Sequence, residues 1–473
     1  VKTSPLHQAK SHYDIVIVGG GIVGAGLFRD LCLHGLSPLL IDARDFGSQT
    51  SAKSSKMLHG GIRYLENMDF ALVREALHEK NLWLKIAPHL CYEEAFYLPV
   101  YNDSIRPLWM IRAGLFLYDF LSGFENTPHS VANKEETLKA LPHLNPHGLK
   151  GAGIYHDAVM DDVKMALEAI YDGLEEGTGA QAMNYVELTN LSEQNSDERM
   201  LTLKDCLTGE QKQIRAKHIV FATGPFTDQV LAKFFQSQTP KLLPSKGSHL
   251  WIKSSALPVT HPMLITPKDG RVIFVIPQKG RVLVGTTEIA PESNQFFDLT
   301  PSVKEINYLL EALAGHFPTL SIGSDDILAS FAGIRPLARE DDGGHGLGKT
   351  AREHKVLRPA SHVYAIVGGK YTTFRTMVQE VAAELVHAHR LPYSTRTTMT
   401  PMRRTSAVLP FNNEKIVLEQ IELALKTELP RTFDDLLIRR LGLLGVTEEF
   451  WPESLKQLMS EELNPHSLPN LLF

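Results

Sequence analysis

IVIVGGGIVGAG, residues 15–26, decides the fold. Its first four residues are apolar without polar alternation, as a strand buried on both faces requires. Glycines follow at 19, 20 and 21, and Gly24 completes G-x-G-x-x-G. Gly19 allows the tight turn, Gly21 lets backbone approach a pyrophosphate, and Gly24 lets a helix pack closely on the strand. The helix runs to Leu33, with Gly35 placed as its left-handed terminator. LLID, 39–42, is a second apolar strand that ends on Asp42. Strand, turn, helix and strand make a βαβ unit, so the parent sheet is parallel. The helix N-terminus offers N–H groups to phosphate, and Asp42 is placed to accept from a ribose hydroxyl. The motif specifies a dinucleotide but leaves NAD and FAD open.

Three later segments decide for FAD. TSAKSSK, 50–56, brings Thr50, Ser51, Ser54, Ser55 and Lys56, which suit a second phosphate contact. HIVFATGPF, 218–226, is a buried strand whose small residues stop at Gly224, where backbone must pass close to something. VGGKYTTF, 367–374, is a strand, then Gly368 and Gly369, then a helix start with Thr372 and Thr373. A helix N-terminus there stabilises negative charge on a reduced flavin ring. A simple NAD domain needs no such returning strand and helix.

The rest of the chain sets bounds. Its 473 residues suggest about three domains at roughly 150 residues each. A net charge of −6, 43% hydrophobic and 22% charged residues exclude a disordered chain, a coiled coil and a polytopic membrane protein. They also argue against a nucleic-acid binder, which carries a basic excess. Cys32, Cys91 and Cys206 form no C-x-x-C pair, so neither a disulfide framework nor a metal site is expected. The N-terminal VKTSPLHQAKSHYD lacks an apolar signal core, which makes the cytoplasm the expected compartment. Periodicity predicts helices at 69–87, 161–175 and 302–316, a strand meander over 183–215 and an antiparallel sheet over 247–290. The tail beyond 412 reads as helical, with Thr432 as a cap.

In this order, GGGIVGAG, TSAKSSK, HGGIRYLE, ATGPF, KGSH, FVIP, GTTE, GIRPL and GGKYTTFR resemble the FAD-dependent glycerol-3-phosphate dehydrogenases, within the D-amino-acid-oxidase-like flavoprotein group. The resemblance covers nearly all of 12–380 and, more weakly, RTFDDLLIRR at 431–440. Asp42 stands where Glu is usual, Phe226 where Trp is, and Phe374 where Tyr is. The family implies an α/β fold: a Rossmann-like FAD-binding domain with an inserted antiparallel-sheet substrate domain. The expected division is 12–90, 150–240 and 330–395 for FAD, 91–149 and 241–329 for substrate, and 405–473 as a short C-terminal helical region. It implies oxidation of sn-glycerol 3-phosphate to dihydroxyacetone phosphate by hydride transfer to FAD. Electrons then pass to a membrane quinone from an enzyme peripheral on the inner face of the cytoplasmic membrane, with a homodimer allowed. His59 would be the base, since imidazole titrates near neutral pH. Arg335 would stabilise charge at the C2 oxygen, and Arg63 and Lys370 would bind phosphate, with Tyr64 and His249 as lesser neighbours. The alternatives are a soluble oxidase using oxygen on this or another small hydroxy or amino acid, and a non-catalytic FAD-binding sensor. The sensor would be expected to lack the Arg–Lys–His set.

Three segments admit competing readings. RPLWMIRAGLFLYDFL, 106–121, is too short to span a bilayer. A core helix packed on the FAD domain is the slightly better account; the other is a membrane-contacting face built on Trp109, Phe116, Tyr118 and Phe120 with Arg106 and Arg112. GGHGLGKT, 343–350, matches a P-loop letter for letter, but no buried strand precedes it and no apolar helix follows. HGG at 59–61 is like an esterase oxyanion loop, yet the G-x-S-x-G elbow is missing.

Overall fold

In the computed structural model, which describes residues 4–193, 197–237, 239–339, 354–403, 406 and 414–444, the opening apolar run is the strand His12–Val18. Helix Ile22–Leu33 follows, and the strand Leu39–Asp42 lies parallel beside the first. Gly35 has φ +80° and ends the helix as expected. The parallel set runs Gln181–Asn184, Leu39–Asp42, His12–Val18, Gln211–Phe221, Val363–Gly368, with His354–Ala360 antiparallel at one edge. Arg199–Asp205 and Val186–Glu193 branch from it as the expected meander. Ile15, Val16 and Ile17 are buried with Leu39, Leu40, Ile41, Ile219 and Val220, which is why none of these strands alternates.

A second sheet runs Ile327–Ala338, Leu242–Lys253, Arg281–Gly285, Ile273–Gln278, Met263–Ile265, Cys91–Tyr101, Leu149–Met160, Met57–Leu58. From Leu242–Lys253 onward its pairings are antiparallel except that of Met263 with Tyr97. Helix Val303–His316 packs on this sheet through Leu309 and Leu313. It starts at a capping box: Ser302 accepts from the Glu305 N–H and Glu305 accepts in return.

The chain divides into two units, 1–52, 162–244 and 336–473, and 53–161 with 245–335. Four boundaries therefore differ from those expected. Residues 53–90 and 150–161 belong to the second unit, because Met57 and Leu58 pair with Val159 and Ala158, and Leu149–Met160 pairs with Cys91–Tyr101. Residues 241–244 fall in the first unit and 330–335 in the second. The stretch 414–444 belongs to the first unit; GGHGLGKT and 445–473 lie outside the described residues.

Two packing details matter later. Arg440, fully buried, holds buried Asp45 with a bidentate guanidinium, its Nη2 at 2.9 Å from Oδ1. Against the cost of burial, the Arg440 and Arg439 charges keep that carboxyl below the usual range. Helix Leu108–Leu121 is not a core helix. It buries Leu115, Tyr118 and Asp119, but Trp109 is 69% exposed, Phe116 58% and Phe120 59%. Its inner face is seated in the second unit, where a Cβ on Gly153 would lie 2.5 Å from Ile111 and 2.9 Å from Leu115.

Candidate active site

In the first unit the cradle is made by side chains that are missing. Gly19 has φ +110°, and a Cβ there would sit 2.5 Å from the Ala222 carbonyl oxygen. On Gly24 it would sit 1.8 Å from the Gly19 carbonyl oxygen, so helix and strand could not close. Gly21, the N-cap, is extended with no side-chain cap, and its Cβ direction opens towards Ser51 Oγ at 3.1 Å. Ser51 accepts from the Ile22 N–H at 2.9 Å, and Thr50–Ala52 is a 3-10 turn beside it. Asp42 accepts from the N–H groups of Gly20 at 2.7 Å and Arg44 at 2.8 Å. Burial pushes its carboxyl up to about 6, with those two N–H groups opposing. A carboxylate has about four acceptor positions, so two remain for ribose hydroxyls. A helix start with a glycine N-cap, a backbone no Cβ crowds and a carboxylate with acceptor capacity fit a dinucleotide.

The other cofactor candidates sit as follows. Gly224 has φ +52° and a Cβ there would meet no protein atom within 4 Å; glycine is required by conformation rather than by crowding from the protein. Gly368 and Gly369 have φ +78° and +82°. Buried Thr372 and Thr373 lead into helix Phe374–Ala388, which Thr373 caps without a side-chain hydrogen bond. Lys370 is half-buried at this helix start.

In the second unit the site is made of side chains that are present. Strand Leu242–Lys253 alternates faces. Ser245, Gly247 and His249 share one face, and Lys246 and Ser248 share the other. On the first face, the Arg335 guanidinium lies over Gly247, where a Cβ would come within 2.5 Å of Nη2. Arg335 Nη2 donates to Thr286 Oγ1 at 2.8 Å, with longer contacts to Ser245 Oγ and the Thr287 carbonyl. On the second face, Glu305 accepts from Lys246 at 2.8 Å, Ser248 at 2.6 Å and Thr287 at 2.8 Å. Against the cost of burial, these bonds and that from Ser302 hold its carboxyl down to about 2. Thr287 therefore links the two faces.

His249 is 2% exposed and lies over Gly285, with Phe331 stacked on it at 5.0 Å. Its Nε2 is hydrogen-bonded to Ser55 Oγ at 2.9 Å. Burial, with the Arg335 and Lys56 charges nearby, holds the imidazole well below the usual histidine range. One cross-strand row runs His249, Gly285, Phe274. The half-buried His59 ring faces Phe274 at 6.4 Å. The row thus places His59, His249, Arg335, Ser55 and Lys56 along one part of this unit. Ser55 and Lys56, expected on the cofactor, contact His249 and the Phe331 ring, and Ser54 accepts from the Lys56 N–H. Tyr64 packs its ring against Gly61, whereas Arg63 is exposed. Ser245, Thr286, Thr287 and Phe331 were not named from the sequence. For Ser245 the signal was there: period-two spacing puts it on the His249 face.

A family model described as FAD dependent oxidoreductase matches residues 14–374. The aerobic glycerol-3-phosphate dehydrogenase of Staphylococcus haemolyticus (strain JCSC1435) is 32% identical over 418 residues, 87% of this chain and 74% of that protein. The enzyme of the same name from Staphylococcus epidermidis (strain ATCC 35984) is 33% identical over 374 residues, 78% of this chain; that match spans 66% of the relative's length, just under two thirds. The structure of glycerol-3-phosphate dehydrogenase from Bacillus halodurans, complexed with FAD, shares the fold with TM-score 0.73 at 24% identity, over 97% of this chain and 90% of that one. L-alpha-glycerophosphate oxidase from Mycoplasma pneumoniae does so with TM-score 0.63 at 19% identity, over 83% and 98%. The chain belongs to the FAD dependent oxidoreductase family and, within it, to the glycerol-3-phosphate dehydrogenases.

Proposed function

We propose that this chain oxidises sn-glycerol 3-phosphate to dihydroxyacetone phosphate and passes the electrons to a quinone in the membrane. The observation that carries the reading is the row of His59, His249 and Arg335 on the second unit, in a chain that also holds a dinucleotide cradle. Gly19, Gly21, Gly24, Asp42, Thr50 and Ser51, with Gly224, Gly368, Gly369, Thr372 and Thr373, would hold the cofactor. Bound FAD supplies a hydride acceptor.

The protein's own groups divide the remaining work. His59 takes the proton of the C2 hydroxyl as hydride leaves C2. His249 is the poorer base, because its imidazole is held neutral and far below operating pH, whereas a base works best near it. Arg335, oriented by Thr286, stabilises charge on the C2 oxygen. Arg63 and Lys370 are the candidates for the phosphate dianion.

A quinone is confined to the bilayer, so contact must be made at its surface. Among the described residues no helix is long and apolar enough to cross a membrane. The exposed aromatic face of Leu108–Leu121, flanked by exposed Ile105 and Phe124 and bearing exposed Arg112, suits a monotopic contact on the inner face of the cytoplasmic membrane.

The test is anaerobic titration of the bound flavin with glycerol 3-phosphate, then re-oxidation by quinone or by oxygen. Reduction by glycerol 3-phosphate but not by glycerol is expected. Arg335→Leu should lower kcat/KM about 10- to 150-fold, the loss of one charge-assisted contact. Equal reduction by glycerol would remove the phosphate assignment. Liposome flotation should capture the wild type and release Trp109→Ser/Phe120→Ser. Fast re-oxidation by oxygen, with no flotation, would make the protein a soluble oxidase; a stable dimer that hides the aromatic face would give that face to a second copy.

A further inference from the structure

The HGG loop carries the proposed base, yet its backbone is held from outside the site. Gly60 is buried, and its N–H donates to Tyr118 Oη at 2.8 Å. A Cβ on Gly60 would come within 2.6 Å of that oxygen and 2.5 Å of Leu77, so the loop is seated in both directions. Tyr118 in turn donates to Asp157, with its oxygen 2.9 and 3.0 Å from the two carboxylate oxygens. Tyr118 is fully buried, and Asp157 is 1% exposed on strand Leu149–Met160. Three elements thus meet at one phenol: the loop next to His59, the inner face of the aromatic helix Leu108–Leu121, and the sheet.

A buried carboxylate is costly unless it is paired or hydrogen-bonded. Packing here is served equally well by Phe, so the hydroxyl and the acid call for a role beyond filling space. We propose that Tyr118, oriented by Asp157, is a positioning residue that fixes the His59–Gly61 loop for proton transfer. This rests on the reading of His59 as the base. When Asp157 is ionised it only accepts, so the Tyr118 proton points at it and a Tyr118 lone pair faces the Gly60 N–H. When Asp157 is protonated its own O–H competes with Gly60 for that lone pair, and the loop is held less tightly.

Burial pushes the Asp157 carboxyl up to about 7, opposed by the Lys80 ammonium and by the Tyr118 and Gly60 hydrogen bonds, and aided by the Glu93 charge. Tyr155 lies beside it on the same strand, and Lys80 is fully buried with Asn126 at 3.0 Å and Glu93 at 3.6 Å. Loosening of the loop therefore falls on the acid side of neutrality.

The experiment uses the FAD-loaded chain and compares wild type, Tyr118→Phe and Asp157→Asn. Flavin reduction by glycerol 3-phosphate is followed under anaerobic conditions from pH 5.5 to 9, beside hydrogen exchange of the peptide covering 57–66. Tyr118→Phe should slow reduction about three- to tenfold with little change in substrate Kd. It should also raise exchange in 57–66 and nowhere else in the second unit. Asp157→Asn keeps an acceptor oxygen and removes the titration, so its acid limb should become shallower than that of the wild type. Unchanged rate, profile and exchange in both variants would overturn the proposal. So would a loss of protection spread over the whole unit with a lowered Tm in both, which is what a merely structural pair would give. If wild-type flavin is not reduced at all, the reading of the function fails, while local exchange still reports whether Tyr118 holds the loop.

Discussion

The two units present their candidate residues by opposite means. In the first, the cradle consists of space: Gly19 and Gly24 lie where a Cβ would strike backbone at 2.5 and 1.8 Å. In the second, the row of His59, His249 and Arg335 consists of side chains, each held by another: Phe274, Ser55 and Thr286. A nucleotide diphosphate is recognised by backbone N–H groups, and any Cβ is an obstacle. A small polyol phosphate losing hydride and proton needs charges and a base, which only side chains supply. The first unit should therefore be sensitive to added atoms and the second to removed ones.

The largest effect tests the second half of that statement. His59→Gln should retain FAD and slow flavin reduction about 10²–10⁴-fold, the usual worth of a positioned base. An unchanged rate in stopped-flow would move the base elsewhere on the row. The first half is tested by a pair of glycines. Gly24→Ala should lose FAD on purification and be destabilised at or beyond the ~1–3 kcal/mol usual for overpacking. Gly35→Ala, where a Cβ meets nothing but φ is +80°, should cost only ~1–2 kcal/mol and keep FAD. Equal losses in urea melts and flavin content would break the comparison.

The smallest effect is in pH. The Glu305 carboxyl sits at about 2 against an ordinary 4.5, so its contribution to stability is present above pH 4.5 and is lost as pH falls towards 2. Asp157, at about 7 against 3.8, has the opposite sign: its contribution is present below pH 3.8 and lost as pH rises to 7. In urea melts, Glu305→Gln should be weaker than wild type at pH 7 and approach it in acid. Asp157→Asn should gain on wild type between pH 5 and 8. Parallel curves for both variants would remove titration from the account of this unit.

The same contrast explains what the amino-acid sequence disclosed. The βαβ unit is local, so strand, glycine spacing and Asp42 are visible within 15–42. Helix Val303–His316 was visible through its period, and helix Phe70–Ile86 to within a residue at each end. Strands Cys91–Tyr101 and Leu149–Met160 were not read, although they pair along most of their length. Each finds its partner across a long insertion, and the apolar alternation is interrupted by Gly151, where a Cβ would strike the Ala132 carbonyl, and by Gly153, which admits Ile111 and Leu115 of the helix. Helix Leu108–Leu121 was visible as apolar, but hydropathy does not say which face is covered. His59, His249 and Arg335 were named through the resemblance. Their supports come from elsewhere in the chain: Thr286 and Thr287 follow the strand Arg281–Gly285, and Phe331 lies on the Arg335 strand and reaches His249 across the sheet.

The grip of Arg440 on Asp45 reaches across 395 residues of chain. At ribosomal rates of about 5–20 residues per second, that is roughly 20–80 s between the synthesis of the two partners. Until then Asp45, three positions after Asp42, has no guanidinium to offset its burial, and an uncompensated buried charge is strongly destabilising. The nascent nucleotide unit thus forms its first βαβ strands early, gains Val363–Gly368 late and closes last. Cofactor capture is then expected only after Arg439 and Arg440 have emerged, and stalled ribosome-bound chains that end before residue 439 should be found empty in FAD assays.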